Sequence, residues 1–125
     1  MSQYSSKTLA HYNSPHNAGA LSDANIVGRG SLDSRAPFTE IYVKIENGII
    51  LRAGFTTFGC GASIACNSAL TQLIIGKGLE ECRNITGNEL LDALDGLPSD
   101  KLYCAQIALA ALYDVICQWS TLSGV

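Results

Sequence analysis

Charge of either sign is scarce in this chain, and the scarcity excludes several classes of function. Only 15% of its 125 residues are Asp, Glu, Lys or Arg, and the net charge is −3 at pH 7. This balance offers no basic patch for nucleic acid or for an anionic membrane surface. Because 47% of the residues are hydrophobic, we predict a packed globular protein with a single domain over residues 1–125.

Long hydrophobic runs are missing as well. A membrane-spanning helix needs about 20 consecutive apolar residues. The most apolar helical stretch, "AQIALAALYDVICQW", is interrupted by Asp114 and Gln118. The N-terminal "MSQYSSKTLAHYN" lacks the charged-then-apolar order of a signal peptide. We therefore expect a cytoplasmic protein that does not bind membranes.

Paired cysteine motifs are a third absence. The chain has five cysteines, an odd number, and they form none of the Cys-x-x-Cys or Cys/His clusters of zinc fingers and ribbons. An odd count without a secretory signal favours reduced thiols over a disulfide framework. Each cysteine is then either a core residue, since a free thiol packs as a small hydrophobic group, or a reactive group or metal ligand.

A β-hairpin is the clearest structural pattern that is present. In "EIYVKIE" the apolar residues alternate with polar ones, and Asn47-Gly48 then occupies the place of a two-residue type I′ turn. On the returning strand we expect Leu51, Ala53 and Phe55 to share one face. The segment "NIVGRGS" is a weaker strand candidate.

Helical periodicity covers most of the remaining chain. We predict a short helix within residues 1–12. Two later helices are predicted in "TGNELLDALDG" and "SDKLYCAQIALAALYDVICQW", with Thr86 and Ser99 as their candidate N-caps. Apolar residues three or four apart predict another helix after Cys60, along the stripe Ala62, Cys66, Ala69, Leu70 and Leu73. This order lacks β-α-β alternation. It predicts an α+β domain, a small antiparallel β-sheet with helices packed on one side.

Two cysteines lie at predicted helix starts. Cys60 lies between Gly59 and Gly61, which let the chain turn and keep bulk away from the sulfur. The free N–H groups of a helix start favour the thiolate, the form that binds metals. Cys104 falls in the first turns of the last helix, so the two thiols meet if both helices pack on the sheet with the same polarity. A purely structural role for Cys60 is the alternative, and the local sequence does not choose between them.

The other candidate groups are interpreted as structural. Cys66 lies on the apolar stripe, Cys82 in a short connection and Cys117 on the last helix, so all three are expected to pack rather than ligate. His11 and His16 flank an N-terminal turn and are interpreted as surface or capping residues.

Three segments of the chain together resemble one protein family. They are "LAHYNSPHNAGAL", "FTTFGCGASIACNSALTQLIIGKGLEEC" and "LPSDKLYC". In this order they resemble three motifs of the IscU/NifU N-terminal-like iron–sulfur cluster assembly scaffolds: the opening with Asn-Pro-Arg-Asn, the segment around the second cluster cysteine, and the Leu-Pro-Pro-Val-Lys-Ile-His-Cys stretch. The resemblance implies a SufE/NifU-like α+β fold and a non-enzymatic scaffold that binds iron or an iron–sulfur cluster.

The resemblance also implies a ligand set, of which this chain has only part. The family's second and third cluster cysteines match Cys60 and Cys104. The first cysteine and the aspartate of the family's Ala-Cys-Gly-Asp loop fall on Arg35 and Pro37, and the histidine before the last cysteine falls on Tyr103. Since a thiolate-rich cluster normally takes about four ligands, one chain does not supply a standard set.

Several sources for the missing ligands are open. Asp33, two residues before the lost cysteine position, offers a carboxylate oxygen, and Tyr103 offers a phenolate. A homodimer with two cysteines from each chain satisfies the ligand count, as would a partner protein or a small thiol. Zinc in place of iron meets the same shortage of ligands.

Two other functions remain open beside cluster or iron binding. The first is an adaptor that keeps the fold and binds assembly partners such as a cysteine desulfurase. The second is a thiol pair that is redox-active or accepts sulfur, which needs no four-ligand set. The family's chaperone-recognition stretch is altered, because Ser99 and Asp100 replace its second proline and its valine, while Leu97, Pro98 and Lys101 remain.

Overall fold

Three strands and five α-helices make up the parts of the chain that the computed structural model describes, residues 4–32 and 37–123. Their order is α1 (Ser6–Asn13), β1 (Ile26–Ser31), β2 (Phe38–Glu46), β3 (Ile49–Phe58), α2 (Gly61–Ile74), α3 (Leu79–Cys82), α4 (Gly87–Ala93), a 3₁₀ turn (Ser99–Lys101) and α5 (Leu102–Ser123). The predicted α+β class, the antiparallel sheet and the helices on one side of it are confirmed.

The sheet is an antiparallel meander in the order β1-β2-β3. Asn47 and Gly48 join β2 to β3 with φ angles of 55° and 76°, the positive values that a type I′ turn requires. Ile41, Val43 and Ile45 of β2 point into the core and are buried. The predicted hairpin is therefore confirmed in its turn and in the buried face of its first strand.

The face assigned to the returning strand was partly wrong. Lys44 pairs with Arg52, but the next residue, Ile45, pairs with Ile50, so Leu51 has no partner opposite it. Such a bulge shifts the two-residue alternation by one position. As a result Ile50 is buried, and Leu51, which is 42% exposed, does not share the buried face of Ala53 and Phe55 as predicted.

Helices α2 and α5 cover the inner face of the sheet. Two glycines of β1 allow α5 to come close: a Cβ at Gly28 would lie 2.3 Å from the carbonyl oxygen of Ala111, and one at Gly30 would lie 2.3 Å from that of Ile107. Helix α2 contacts β3, α5 and α1, and ten of its residues are buried. The two helices that carry Cys60 and Cys104 at their starts are thus fixed on one sheet.

The helix starts agree with the sequence in one case and not in another. Thr86 caps α4 as predicted, since its hydroxyl oxygen accepts a hydrogen bond of 3.2 Å from the Glu89 N–H. Ser99 makes no cap and instead begins the 3₁₀ turn, in which the Lys101 N–H donates to the Pro98 carbonyl at 2.9 Å. The chain therefore enters α5 through a tighter turn than a capped α-helix has.

Other segments of the chain form hydrogen bonds with both outer strands of the sheet. The N–H of Gly19 donates to the carbonyl of Phe55 at 2.7 Å, and the N–H of Phe55 donates to the carbonyl of Asn17 at 3.2 Å. On the other edge, the Gln118 side-chain amide of α5 donates to the carbonyl of Val27 at 2.7 Å. These bonds occupy part of the edge backbone that another strand could otherwise pair with.

The last helix is long and apolar. The stretch Ser99–Leu122 has a mean hydropathy of 1.3 and could cross a membrane by length and composition. Half of the 18-residue window tested within this helix is buried inside the protein, where the helix packs against β1 and β2.

Candidate functional site

Cys60 lies where β3 ends and α2 begins. It is the N-cap residue of α2, with an extended backbone, and its carbonyl accepts the first helical hydrogen bond from the N–H of Ser63 at 3.0 Å. The glycines on either side serve packing. A Cβ at Gly59 would lie 2.6 Å from the Ser63 hydroxyl oxygen, and one at Gly61 would lie 3.1 Å from the ring of Tyr12. Larger residues at either position would displace the groups around the thiol.

Cys104 is the third residue of α5 and faces Cys60. The two sulfur atoms are 3.9 Å apart, so the two helix starts do converge on one point. Cys60 is half-buried, whereas Cys104 is only 1% exposed. The pair therefore has one thiol that solvent reaches and one that lies beneath it.

Ser63 is a part of the site that the sequence analysis missed. Its hydroxyl donates a hydrogen bond to the sulfur of Cys104 at 3.5 Å, and its backbone N–H lies at the start of α2 beside Cys60. It therefore contacts both cysteines. Its position three residues after Cys60, in the first turn of the predicted helix, was the available signal.

The two thiols differ in acidity. Burial opposes ionisation of Cys60. The backbone N–H groups of Ser63 and Ala62, the hydrogen bond from the Cys104 thiol and the charge of Lys101 together outweigh it, so the pKa of Cys60 is lower than usual. Burial raises the pKa of Cys104, against the hydrogen bond from Ser63. The accessible sulfur is thus the readily ionised one and the buried sulfur holds its proton.

Two tyrosines lie within electrostatic range of the thiol pair. In the alkaline range where a phenol titrates, the negative charges of the Cys104 and Cys60 thiolates, together with some burial, raise the pKa of Tyr103. Burial, followed by the charge of Cys60, raises the pKa of Tyr4, a residue to which the sequence analysis gave no role. Both side chains are therefore neutral phenols at physiological pH.

The three other cysteines differ in burial, although all three were predicted to pack. Cys66 and Cys82 are buried, as expected, and burial raises the pKa of Cys66 and brings that of Cys82 to about 11. Cys117 is exposed, so the prediction that it packs in the core is wrong. The buried face of α5 at this point is formed by Val115 and Ile116, and Cys117 lies outside it.

The loop that should complete the ligand set is described only at its end. Asp33 and Arg35 lie outside the described residues. Pro37 is described and lies beside the site, since a Cβ at Gly59 would be 3.7 Å from its Cβ. Within residues 4–32 and 37–123, no group of three or more His, Cys, Asp or Glu side chains is arranged to hold a metal ion. The described residues therefore contribute two thiols to the site.

The two histidines hold the N-terminal segment on α2 rather than contributing to the thiol pair. The Nδ1 atom of His11 lies 2.7 Å from the hydroxyl oxygen of Ser68, which also accepts a bond of 2.8 Å from the N–H of His16. Burial and the neighbouring His16 lower the pKa of His11. His16 is exposed and His11 half-buried, in line with their interpretation as surface or capping residues.

Apolar side chains flank both cysteines on the surface. Phe58, two residues before Cys60, is 64% exposed, and Leu102, two residues before Cys104, is 39% exposed. The ring of Phe58 stacks on that of Phe38 with centroids 6.0 Å apart. An exposed apolar side chain thus lies two residues before each cysteine of the pair.

Comparisons with known proteins agree with one another. Residues 3–123 match the family described as the NifU-like N terminal domain. The chain is 37% identical to the "Iron-sulfur cluster assembly scaffold protein IscU" of Aquifex aeolicus, covering 91% of this chain and 74% of that protein. It is 36% identical to the scaffold protein of the same name from Haemophilus influenzae, covering 97% and 98% of the two chains.

Solved structures show the same fold at lower sequence identity. A NifU-like N-terminal protein from Brucella abortus superposes with a TM-score of 0.72 at 15% identity, covering 94% of each chain. A putative scaffold protein for the SUF system from Fervidobacterium islandicum gives 0.73 at 18% identity, covering 90% of this chain and 96% of that one. Together with the sequence matches, these similarities establish that the chain belongs to the NifU-like N-terminal domain family, the family of the IscU scaffolds.

Proposed function

We propose that this protein is a scaffold in iron–sulfur cluster assembly that holds iron, a cluster or transiently sulfur through Cys60 and Cys104. The 3.9 Å separation of the two sulfur atoms is the observation that carries the proposal. Two thiolates on one tetrahedral metal ion need about this spacing, given metal–sulfur bonds of about 2.3 Å. The cluster is cargo in this proposal, so no substrate turnover is expected.

The proposed site uses the two thiols differently. Cys60, which is accessible and has a lowered pKa, is the first point of contact for incoming iron or sulfur. Cys104 is buried beside it and loses its proton when a cation binds, because a metal ion makes the thiolate the favoured form. Ser63 then donates its hydrogen bond to that thiolate.

Two cysteines leave the proposed site short of the usual count of about four ligands. A second copy of the chain bringing its own Cys60 and Cys104 satisfies the count in a homodimer. Asp33 is the candidate within one chain, since it precedes Pro37, which borders the site. Tyr103 ranks behind Asp33 because its raised pKa favours the phenol over the phenolate. Zinc bound by the same two thiols would face the same shortage.

A second candidate function is an adaptor of the same fold that binds assembly proteins without holding a cluster. The exposed Phe58 and Leu102, each two residues before one of the cysteines, favour it, because each offers a partner an apolar contact near the site. A cysteine desulfurase is the partner we propose, in the cytoplasm. Binding of the family's chaperone is less favoured, since Ser99 and Asp100 stand where its recognition motif has a proline and a valine.

Anaerobic reconstitution with ferrous iron and sulfide tests the scaffold proposal. We expect the wild-type protein and a Cys117→Ser control to retain iron and acid-labile sulfide after desalting. The Cys60→Ala, Cys104→Ala double variant should retain neither. Equal retention by wild type and double variant, whether high or low, would contradict it. A pulldown with a cysteine desulfurase tests the adaptor function. That function requires both the wild type and the double variant to form a complex with the desulfurase.

A further inference from the structure

We propose that Cys60 and Cys104 form a reversible intramolecular disulfide when the reduced protein meets hydrogen peroxide, and that this disulfide closes the cargo site. The bond itself depends only on the geometry of the two thiols. Its consequence for iron or sulfur binding rests on the proposed function.

The distance between the sulfur atoms suits bond formation. They lie 3.9 Å apart in the reduced protein, and a disulfide needs about 2.05 Å. The Cys60 sulfur can move the remaining distance of about 2 Å by rotation of its side chain. Cys60 is half-buried and lies at the N-cap of α2. Cys104, inside the packed start of α5, can remain in place.

The difference in exposure assigns the order of the steps. Peroxide reaches Cys60, the half-buried thiol, and not Cys104, which is 1% exposed. This is the arrangement of a redox-sensitive cysteine beside a resolving one. The Ser63 hydroxyl, which donates a hydrogen bond of 3.5 Å to Cys104, keeps this resolving sulfur turned toward Cys60.

The chemistry balances with peroxide as the only oxidant. The Cys60 thiolate attacks one peroxide oxygen and the O–O bond breaks, giving a sulfenic acid on Cys60 and a hydroxide that takes up a proton to become water. The Cys104 sulfur then attacks the Cys60 sulfur, the S–O bond breaks, and the departing hydroxide takes the proton of Cys104. Each sulfur loses one electron, and the peroxide gains two and becomes two waters.

The other cysteines are not placed to compete. Cys66 and Cys82 are fully buried, so peroxide does not reach them in the folded protein. Cys117 is exposed but lies thirteen residues beyond Cys104 on the same helix, roughly 20 Å away at 1.5 Å per residue. It can pair only with another molecule, which makes it a control rather than a participant.

The test uses the metal-free, reduced Cys117→Ser protein, which has four cysteines left of the five. After peroxide treatment, we expect two of those four thiols to be lost to alkylation under denaturing conditions and to return after treatment with a dithiol. Trypsin cuts after Arg52, Lys77 and Lys101. The peptide 53–77 should therefore be linked to the peptide that begins at Leu102, in a monomer on a non-reducing gel.

Two further variants keep the inference falsifiable. In a Cys66→Ser background the same crosslink should form, because peptide 53–77 then contains Cys60 alone. In a Cys104→Ser background the crosslink should disappear, and dimedone should label a sulfenic acid on Cys60. A crosslink through Cys66, over-oxidation of Cys60 with Cys104 left free, or four unchanged thiols would each overturn the inference. None of these measurements uses iron, so their failure is distinct from failure of the scaffold proposal.

Discussion

The two ends of helix α5 carry the same residue in opposite surroundings. Near its start, Cys104 is buried, faces the sulfur of Cys60 at 3.9 Å and accepts a hydrogen bond from Ser63. Near its other end, Cys117 is exposed, and the Thr121 hydroxyl bonds to its carbonyl rather than to its sulfur. Two cysteines on the same helix can therefore differ completely in reactivity. The difference depends on the end of the helix at which each cysteine lies and on whether its side chain is on the buried or the exposed face.

The largest expected effect separates the thiols by their reactivity. At neutral pH, N-ethylmaleimide should modify Cys117 and Cys60 within minutes. Cys66, Cys82 and Cys104 should react more slowly by roughly a thousandfold or more, because they require unfolding of the core, which costs several kcal/mol. Mass spectrometry of the peptides at successive times measures the rates. Rapid modification of Cys104 in the folded protein would abolish the distinction between the two ends of α5.

The second effect tests what places the start of α5 on the sheet. Gly30→Ala would put a Cβ 2.3 Å from the Ile107 carbonyl, one turn after Cys104. We expect a loss of roughly 3 kcal/mol in the free energy of unfolding and slower crosslinking of Cys60 to Cys104. Denaturant unfolding measures the first and a thiol-bridging bimane the second.

The matched control for that change is Gly87→Ala in α4. A Cβ there meets only the Leu109 side chain, at 3.9 Å, so little change is expected and the crosslinking rate should stay as in the wild type. If Gly30→Ala proved as harmless as Gly87→Ala, the close approach of α5 to β1 would not be what positions Cys104.

A smaller effect is expected from Ser63→Ala. It removes a buried hydrogen bond to Cys104 and should cost about 1 kcal/mol of folding stability. Thr121→Ala removes the corresponding exposed bond beside Cys117 and should cost less than about 0.5 kcal/mol. Urea unfolding of both variants compares the two ends of the helix directly, and equal losses would count against a structured site at Cys104.

The smallest effect lies away from both ends, at His11. Its pKa is lowered by burial and by His16, so the unfolded chain binds more protons than the folded one below the ordinary histidine pKa of about 6.5. The contribution of His11 to the free energy of unfolding should therefore be fully present above that pH. It should decrease as the pH falls from there toward the lowered pKa. In His11→Asn, whose amide replaces the hydrogen-bonding nitrogen without titrating, unfolding midpoints should depend less on pH across this window.

Much of the fold could be predicted because its signals are local. Alternation in β2 and the Asn47-Gly48 turn define the hairpin without reference to the rest of the chain. The bulge at Leu51 could not be predicted, because Ile49, Ile50 and Leu51 are all apolar and any of them could lie in the core. The burial of Ile50 is decided by pairing with β2, which is a tertiary effect.

The site was only partly predictable for a related reason. The sequence indicated Cys60 and Cys104 as helix-start thiols, but their meeting depends on how α2 and α5 pack on the sheet. Cys117 was misplaced because α5 is apolar around much of its circumference, so periodicity alone does not define its buried face. Ser63 was overlooked because a serine in the first turn of a helix is ordinary unless a second element brings a sulfur to it.

X-ray absorption at the iron edge tests the central claim, that Cys60 and Cys104 act together as one cargo site. After anaerobic loading with iron, we expect iron–sulfur scattering at about 2.3 Å in the wild type and in Cys117→Ser. Its amplitude should fall sharply in Cys60→Ala and in Cys104→Ala taken singly. Scattering from oxygen and nitrogen alone in the wild type, or unchanged sulfur scattering in either single variant, would contradict it.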